Sequence, residues 1–119
     1  MEISTDIDNW TTQLRKGLLE LCVVNLLANG DIYGYDLVKQ LSEVKGLVVT
    51  EGTIYPILSR LKRLGLASSR FVESTSGPVR KYYTLTPEGR RMQTTMNAYW
   101  AELAQGVGRL QNGNRTYHE

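Results

Sequence analysis

The sequence is poor in the residues that most chemistry requires. It has one cysteine, Cys22, and one histidine, His118, so no internal disulfide can form and no nitrogen and sulfur ligand cluster suits a metal. Cys22 stands in an apolar helical run, where a small thiol packs as a core residue. His118 lies close to the end, in a polar tail. With no nucleophile beside a base, covalent and general-base catalysis have nothing to build on. Phosphate loops are also missing, because Gly77-Pro78 and Gly106-x-Gly108 lack the strand, glycine and helix order that such a loop needs. The expectation is therefore a protein that is not an enzyme, with no catalytic residue, no metal and no cofactor. Long hydrophobic runs are absent too. The opening MEISTDIDNW is acidic and polar, unlike a leader peptide, and Glu20 and Asn25 interrupt the longest apolar stretches. A cytoplasmic chain with no membrane contact is expected.

Net charge is low, +2 over 119 residues, but it is unevenly spread. From Gly52 to Arg91 the chain has eight basic residues and two acids, Glu73 and Glu88, whereas the rest has six basic and ten acidic residues. A basic stretch between acidic flanks draws phosphate to one surface and limits sticking elsewhere. On charge alone, the same stretch also reads as an idle solvated face. Hydrophobic residues at 41% and charged residues at 22% are ordinary for one folded domain.

Apolar periodicity supplies the elements. Trp10, Leu14, Leu18 and Leu21 lead into Cys22 to Leu27 at helical spacing, with Asn29-Gly30 as the stop, which predicts a first helix over 10–28. From Leu18 onward this helix is apolar nearly all round, more than one face of a small domain can cover, so its second surface is expected to meet another subunit. A short second helix follows over 35–44. Thr50 is a good N-cap for a third, which carries Ile54, Ile57, Leu58, Leu61 and Leu64, tolerates Pro56 near its start, and stops at Gly65. Leu66 to Glu73 and Val79 to Leu85 read as strands joined by the turn-forming Ser74-Thr75-Ser76-Gly77-Pro78. One of the adjacent Tyr82 and Tyr83 is expected in the core and the other outside. Thr86-Pro87-Glu88 opens a last helix that runs to about Leu110. The fold class is mainly α with a small β-hairpin, a winged helix-turn-helix over 1–86 and a C-terminal dimerisation helix over 87–112. The tail, 113–119, is expected to be disordered.

This order points to DNA. At 100° per residue, the apolar residues of the third helix gather on one side and leave Gly52, Pro56, Ser59 and Arg63 opposite, flanked by Thr53 and Arg60 on one edge and Tyr55 and Lys62 on the other. A helix fits the major groove, and small residues at its amino end allow close approach to a phosphate. Each of these also reads singly as a solvated surface residue. Gly77, Arg80 and Lys81 of the hairpin would touch the backbone or minor groove, and Tyr35, Lys39 and Thr50 complete the expected DNA-binding set. Along the last helix Met92, Met96, Tyr99, Leu103, Gly106 and Leu110 follow the 4,3 spacing of a coiled-coil seam. The expected interface of a homodimer comprises Trp10, Leu14, Met96, Tyr99, Trp100, Leu103, Val107 and Leu110. Two such copies would bind double-stranded DNA at an inverted-repeat operator. A winged helix that docks a protein instead is the competing reading.

Three ordered motifs carry a family resemblance: Gly34-Tyr35-Asp36-Leu37, the run from Glu51 to Leu61 with Gly65-Leu66, and Gly77-Pro78-Val79-Arg80-Lys81-Tyr82-Tyr83-Thr84-Leu85-Thr86-Pro87-Glu88-Gly89. Together they resemble the PadR family of transcriptional regulators. The resemblance implies a winged-helix DNA-binding domain, a dimer made through the last helix, and repression relieved by a small molecule. With 30 residues after Gly89, the chain is most similar to the small subgroup with one C-terminal helix, which includes regulators of multidrug transporters. By that resemblance Leu14, Gly17, Leu18, Leu21, Met92, Met96 and Trp100 would line a cavity for a small aromatic or cationic ligand, with Trp100 stacking on it. Met96 and Asn97 depart from the residue types found at such a cavity. A purely structural Trp100 in the dimer seam is the other reading, since Trp and Met are common in ordinary interfaces.

Overall fold

A computed structural model of the chain describes residues 3–113, with side chains from Asp6 onward. Residues 114–119, most of the tail expected to be disordered, and His118 among them, lie outside the described residues. In chain order the elements are α1 (Ile3–Leu27), β1 (Ile32–Tyr33), α2 (Gly34–Ser42), α3 (Glu51–Arg63), β2 (Ala67–Ser74), β3 (Gly77–Leu85) and α4 (Pro87–Gln111). The strands form one antiparallel sheet in the order β1-β3-β2.

One helix start and one short strand depart from the periodic reading, beyond shifts of one or two residues at other element ends. Helix α1 starts at Ile3, not Trp10. From Asp6 to Trp10 the helix is exposed, and its mostly polar residues carry no apolar stripe. Asp6 favours the positive helix end, and the Thr11 and Thr12 hydroxyls donate back to the Asp8 carbonyl at 3.0 and 2.8 Å. Strand β1 is too short to show an alternation. Its place is fixed from outside by pairing of Ile32 with Tyr83 and Tyr33 with Tyr82.

The core gathers where α1, α2, α3 and the sheet meet. Val23, Val24 and Leu27 of α1, Leu37 of α2, and Ile54, Leu58 and Leu61 of α3 are fully buried, with Tyr83 and Leu85 of β3 beside them. Strand alternation decides between the tyrosines: Tyr83 turns inward, and Tyr82 faces out beneath Arg70. Both polar interruptions of α1 acquire partners. Glu20 forms an ion pair with Arg60 of α3. Asn25 exchanges hydrogen bonds with Asn97 at 2.8 and 2.9 Å and accepts one from Gln93 at 2.9 Å, which ties α1 to α4.

Caps set where the elements turn. Helix α3 keeps Pro56 inside one continuous helix. At its end Gly65 adopts φ 75°, the Leu66 amide reaches the Leu61 carbonyl at 2.8 Å, and the Gly65 amide reaches Lys62 at 3.0 Å. This paired closure redirects the chain straight into β2. Thr86 links both ends of the hairpin to α4: its hydroxyl donates to the Gly65 carbonyl at 2.7 Å and accepts from the Gly89 amide at 3.1 Å.

Candidate nucleic-acid interface

Helix α3 follows α2 across a turn and packs Ile54, Leu58 and Leu61 into the core, which leaves Gly52, Thr53, Pro56, Ser59 and Arg63 exposed together on the far side. Thr50 is the N-cap residue, and its amide donates to the Thr53 hydroxyl at 3.3 Å. Tyr35 and Lys39 on α2 are exposed as well, Tyr35 by 56%.

Three nominated side chains sit differently from the simple helical wheel. Tyr55 is half-buried and turned against α2, so that a Cβ on Gly34 would lie 3.1 Å from its hydroxyl oxygen. Burial raises its phenol above the ordinary range, with the Glu51 carboxylate adding to the effect. Arg60 points to Glu20 of α1, because the flank of α3 on which it stands is the flank that α1 covers. Lys62 is half-buried toward β3. The exposed face is therefore narrower than the sequence suggests, and Arg63 is its outward cation.

Strand alternation also divides the wing cations. Arg80 stands on the outer sheet face, 4.9 Å above the Tyr33 ring, in a ladder completed by Tyr82 and Arg70. Lys81 stands on the opposite face, 5.5 Å from the Phe71 ring and 5.6 Å from Tyr83. Its ammonium is held below the usual lysine range, first by contact with Lys62 and then by partial burial. Among the described residues Lys62, Arg63, Arg80 and Lys81 enter no ion pair, whereas Arg70 is bound to Asp31, its Nε donating at 2.8 Å. Gly77 is exposed at the hairpin turn. Tyr33 and Phe71, which steady the two wing cations, were not nominated from sequence; their signal is an aromatic directly across the ladder or one strand over from a cation.

A second feature lies between the helices that the wing does not touch. Leu14, Gly17, Leu18 and Leu21 of α1 and Met96, Tyr99, Trp100 and Leu103 of α4, with Gln13 and Thr95 at the rim, line an open apolar groove of about 520 Å³. Six of the seven residues expected around a cavity meet here. Met92 does not: it lies a turn closer to the sheet and packs against the core cluster.

The profile of the family described as transcriptional regulator PadR-like matches residues 23–95, from the middle of α1 through the first turns of α4. The chain belongs to this PadR-like family. Its match spans the core, the helix-turn-helix and the wing in the order just described. A PadR family transcriptional regulator from Eggerthella lenta has a solved structure that is similar over 93% of this chain and 96% of its own, with 35% identity and a TM-score of 0.79. A transcriptional regulator of Mycobacterium tuberculosis is 32% identical over 80% of this chain and 87% of its own length. The Bacillus subtilis PadR protein, solved in complex with operator DNA, is 26% identical with a TM-score of 0.59, over 66% of this chain and 45% of the longer one. PadR-like membership places the chain among winged helix-turn-helix regulators of transcription and not among enzymes. No helix among its described residues is long and apolar enough to cross a membrane.

Proposed function

We propose that the protein binds operator DNA in a sequence-specific way, as a two-fold dimer, and that a small planar or aromatic ligand in the groove between α1 and α4 releases it. The observation that carries DNA binding is the exposed α3 face of Gly52, Thr53, Ser59 and Arg63, small at the amino end and cationic beyond, beside Arg80 and Lys81 of the wing, which pair with no carboxylate among the described residues. Such a face meets the width of a major groove, and the wing meets the neighbouring backbone. The operator complex of the Bacillus subtilis relative supports the same reading. A protein that works on DNA in this way acts in the cytoplasm.

What α1 and α4 leave uncovered supports the dimer. Trp10, Tyr99, Leu103, Val107 and Leu110 are all exposed, Tyr99 by 71% and Leu110 by 79%. An apolar stripe of this length on one chain calls for a partner helix. The groove supports the ligand: its lining is apolar and aromatic, its volume suits a drug-sized molecule, and Trp100 is 40% exposed within it. Fluorescence anisotropy with a labelled duplex from the flank of the protein's own gene tests the DNA step. Arg63→Ala should weaken binding about tenfold or more and leave Tm unchanged, as expected for an exposed contact residue. Equal affinity in the variant would remove α3 as the reading element. For the ligand, a planar cationic dye should quench the tryptophan emission of the wild type and lower its affinity for DNA, while Trp100→Ala should lose both responses.

A further inference from the structure

Helix α1 is clamped at one end and free to lean at the other. Near its close Val23, Val24 and Leu27 are fully buried in the core, and the Ala28 carbonyl just beyond accepts from Arg90 of α4 at 3.1 Å. Asn25 is locked to Gln93 and Asn97 of α4 at 2.9 and 2.8 Å. Before this clamp the helix forms one wall of the apolar groove through Leu14, Gly17, Leu18 and Leu21, with Met96 and Trp100 opposite. Within the same stretch Glu20 pairs with Arg60 of α3. Among the described residues this is the one ion pair that α1 makes with another element.

At about 100° per residue, Glu20 stands about 110° around the helix from the centre of the groove wall, on the side of Val23 and Leu27. One stretch of α1 thus shows the groove to one side and a charged handle on α3 to the other. A ligand that widens the groove presses α1 away from α4. With Asn25 as the pivot, the stretch that leans is the one that carries Glu20. At the other end of the pair, Arg60 directly follows Ser59 and stands one turn before Arg63, both exposed on the reading face of α3. A pull on Arg60 therefore turns that face.

We infer that the pair of Glu20 and Arg60 carries the state of the groove to the recognition helix. Arg60 is a positioning residue that sets the angle of α3, and it does not contact a phosphate. The inference rests on the ligand-release reading above and specifies the route by which release reaches α3.

Anisotropy of the labelled duplex, with and without the neutral planar dye Nile red, gives the factor by which an occupied groove weakens DNA binding. A neutral dye has no charge with which to compete at the basic face. In the wild type the factor should be about tenfold or more. Glu20→Gln and Arg60→Gln leave the groove lining intact, so both should bind the dye as the wild type does, while the factor falls to near one. Glu20→Arg combined with Arg60→Glu rebuilds the pair with its charges exchanged and should restore the factor, which a general loss of stability cannot do. Arg60→Gln should also keep the wild-type slope of log affinity against log salt. A slope lower by about 0.9 would make Arg60 a phosphate contact and overturn the inference. A factor that stays about tenfold in both single variants, or an exchanged pair that stays uncoupled, would overturn it too. A wild type whose DNA affinity ignores the dye would overturn ligand release and this route with it, whereas DNA binding would stand on the titration without dye.

Discussion

A backbone oxygen dictates the residue at position 89. The Leu66 carbonyl accepts from the Thr86 amide at 3.1 Å, and a Cβ on Gly89 would lie 2.0 Å from that same oxygen. No rotamer relieves a clash with a main-chain atom. Gly89→Ala should therefore separate α4 from the junction of α3 and the wing, at a cost on the order of 3 kcal/mol. Urea unfolding of the two proteins measures this, and equal midpoints would show that the junction yields. Tyr83 offers a second test at this scale. Burial raises its phenol above the ordinary value, with the nearby Tyr55 adding to the shift. The unfolded chain then loses that proton first, so stability is fully present below about pH 10 and declines as pH rises from there through the folded value. In Tyr83→Phe the alkaline decline should be shallower. An identical pH profile would mean that this phenol does not carry it.

The elements that decide function are legible in the sequence to different depths. Helix α3 shows in full, since Thr50, the apolar spacing from Ile54 to Leu64 and Gly65 each report a local cause. What is hidden is which of its polar residues are free. Arg60 and Tyr55 flank the outward face on a helical wheel, but whether a flank meets solvent depends on where α1 and α2 lie, and the local pattern has no access to that. The pairs between Glu20 and Arg60 and between Asn25 and Asn97 are hidden for the same reason, being 40 and 72 residues apart in sequence. Strand β1 is invisible because two residues have no period. Conversely, the hairpin turn and the Thr86-Pro87 start of α4 are written in residue types that act locally. The amide cluster yields a prediction for α1 and α4. Asn25→Leu leaves Gln93 and Asn97 half-buried without their partner, and should cost about 2 kcal/mol in urea unfolding. The double replacement of Asn25 and Asn97 by Leu should recover part of that loss, because both half-buried amides go together.

At the scale of the whole molecule the chain is extended. Its Cα radius of gyration is 17.7 Å and its extents are 64 × 37 × 22 Å, whereas a compact chain of this length is expected near 13–14 Å. The excess comes from α1 and α4, two 25-residue helices that run beyond the winged core with apolar flanks uncovered. A second copy that covers them would place two α3 helices on one side of a duplex. Replacing Leu103 and Leu110 by Asp should then give monomers by light scattering and much weaker DNA binding, because the seam would bury unpaired charge. A variant that stays dimeric would move the interface elsewhere. Selecting bound duplexes from a randomised pool and sequencing them tests most directly whether a dimer reads DNA through α3. Such a dimer should enrich an inverted repeat whose half-site centres lie about 34 Å apart, one helical turn, with enrichment lost in Arg63→Ala. A pool that shows no sequence preference, or a preference without inverted symmetry, would contradict it.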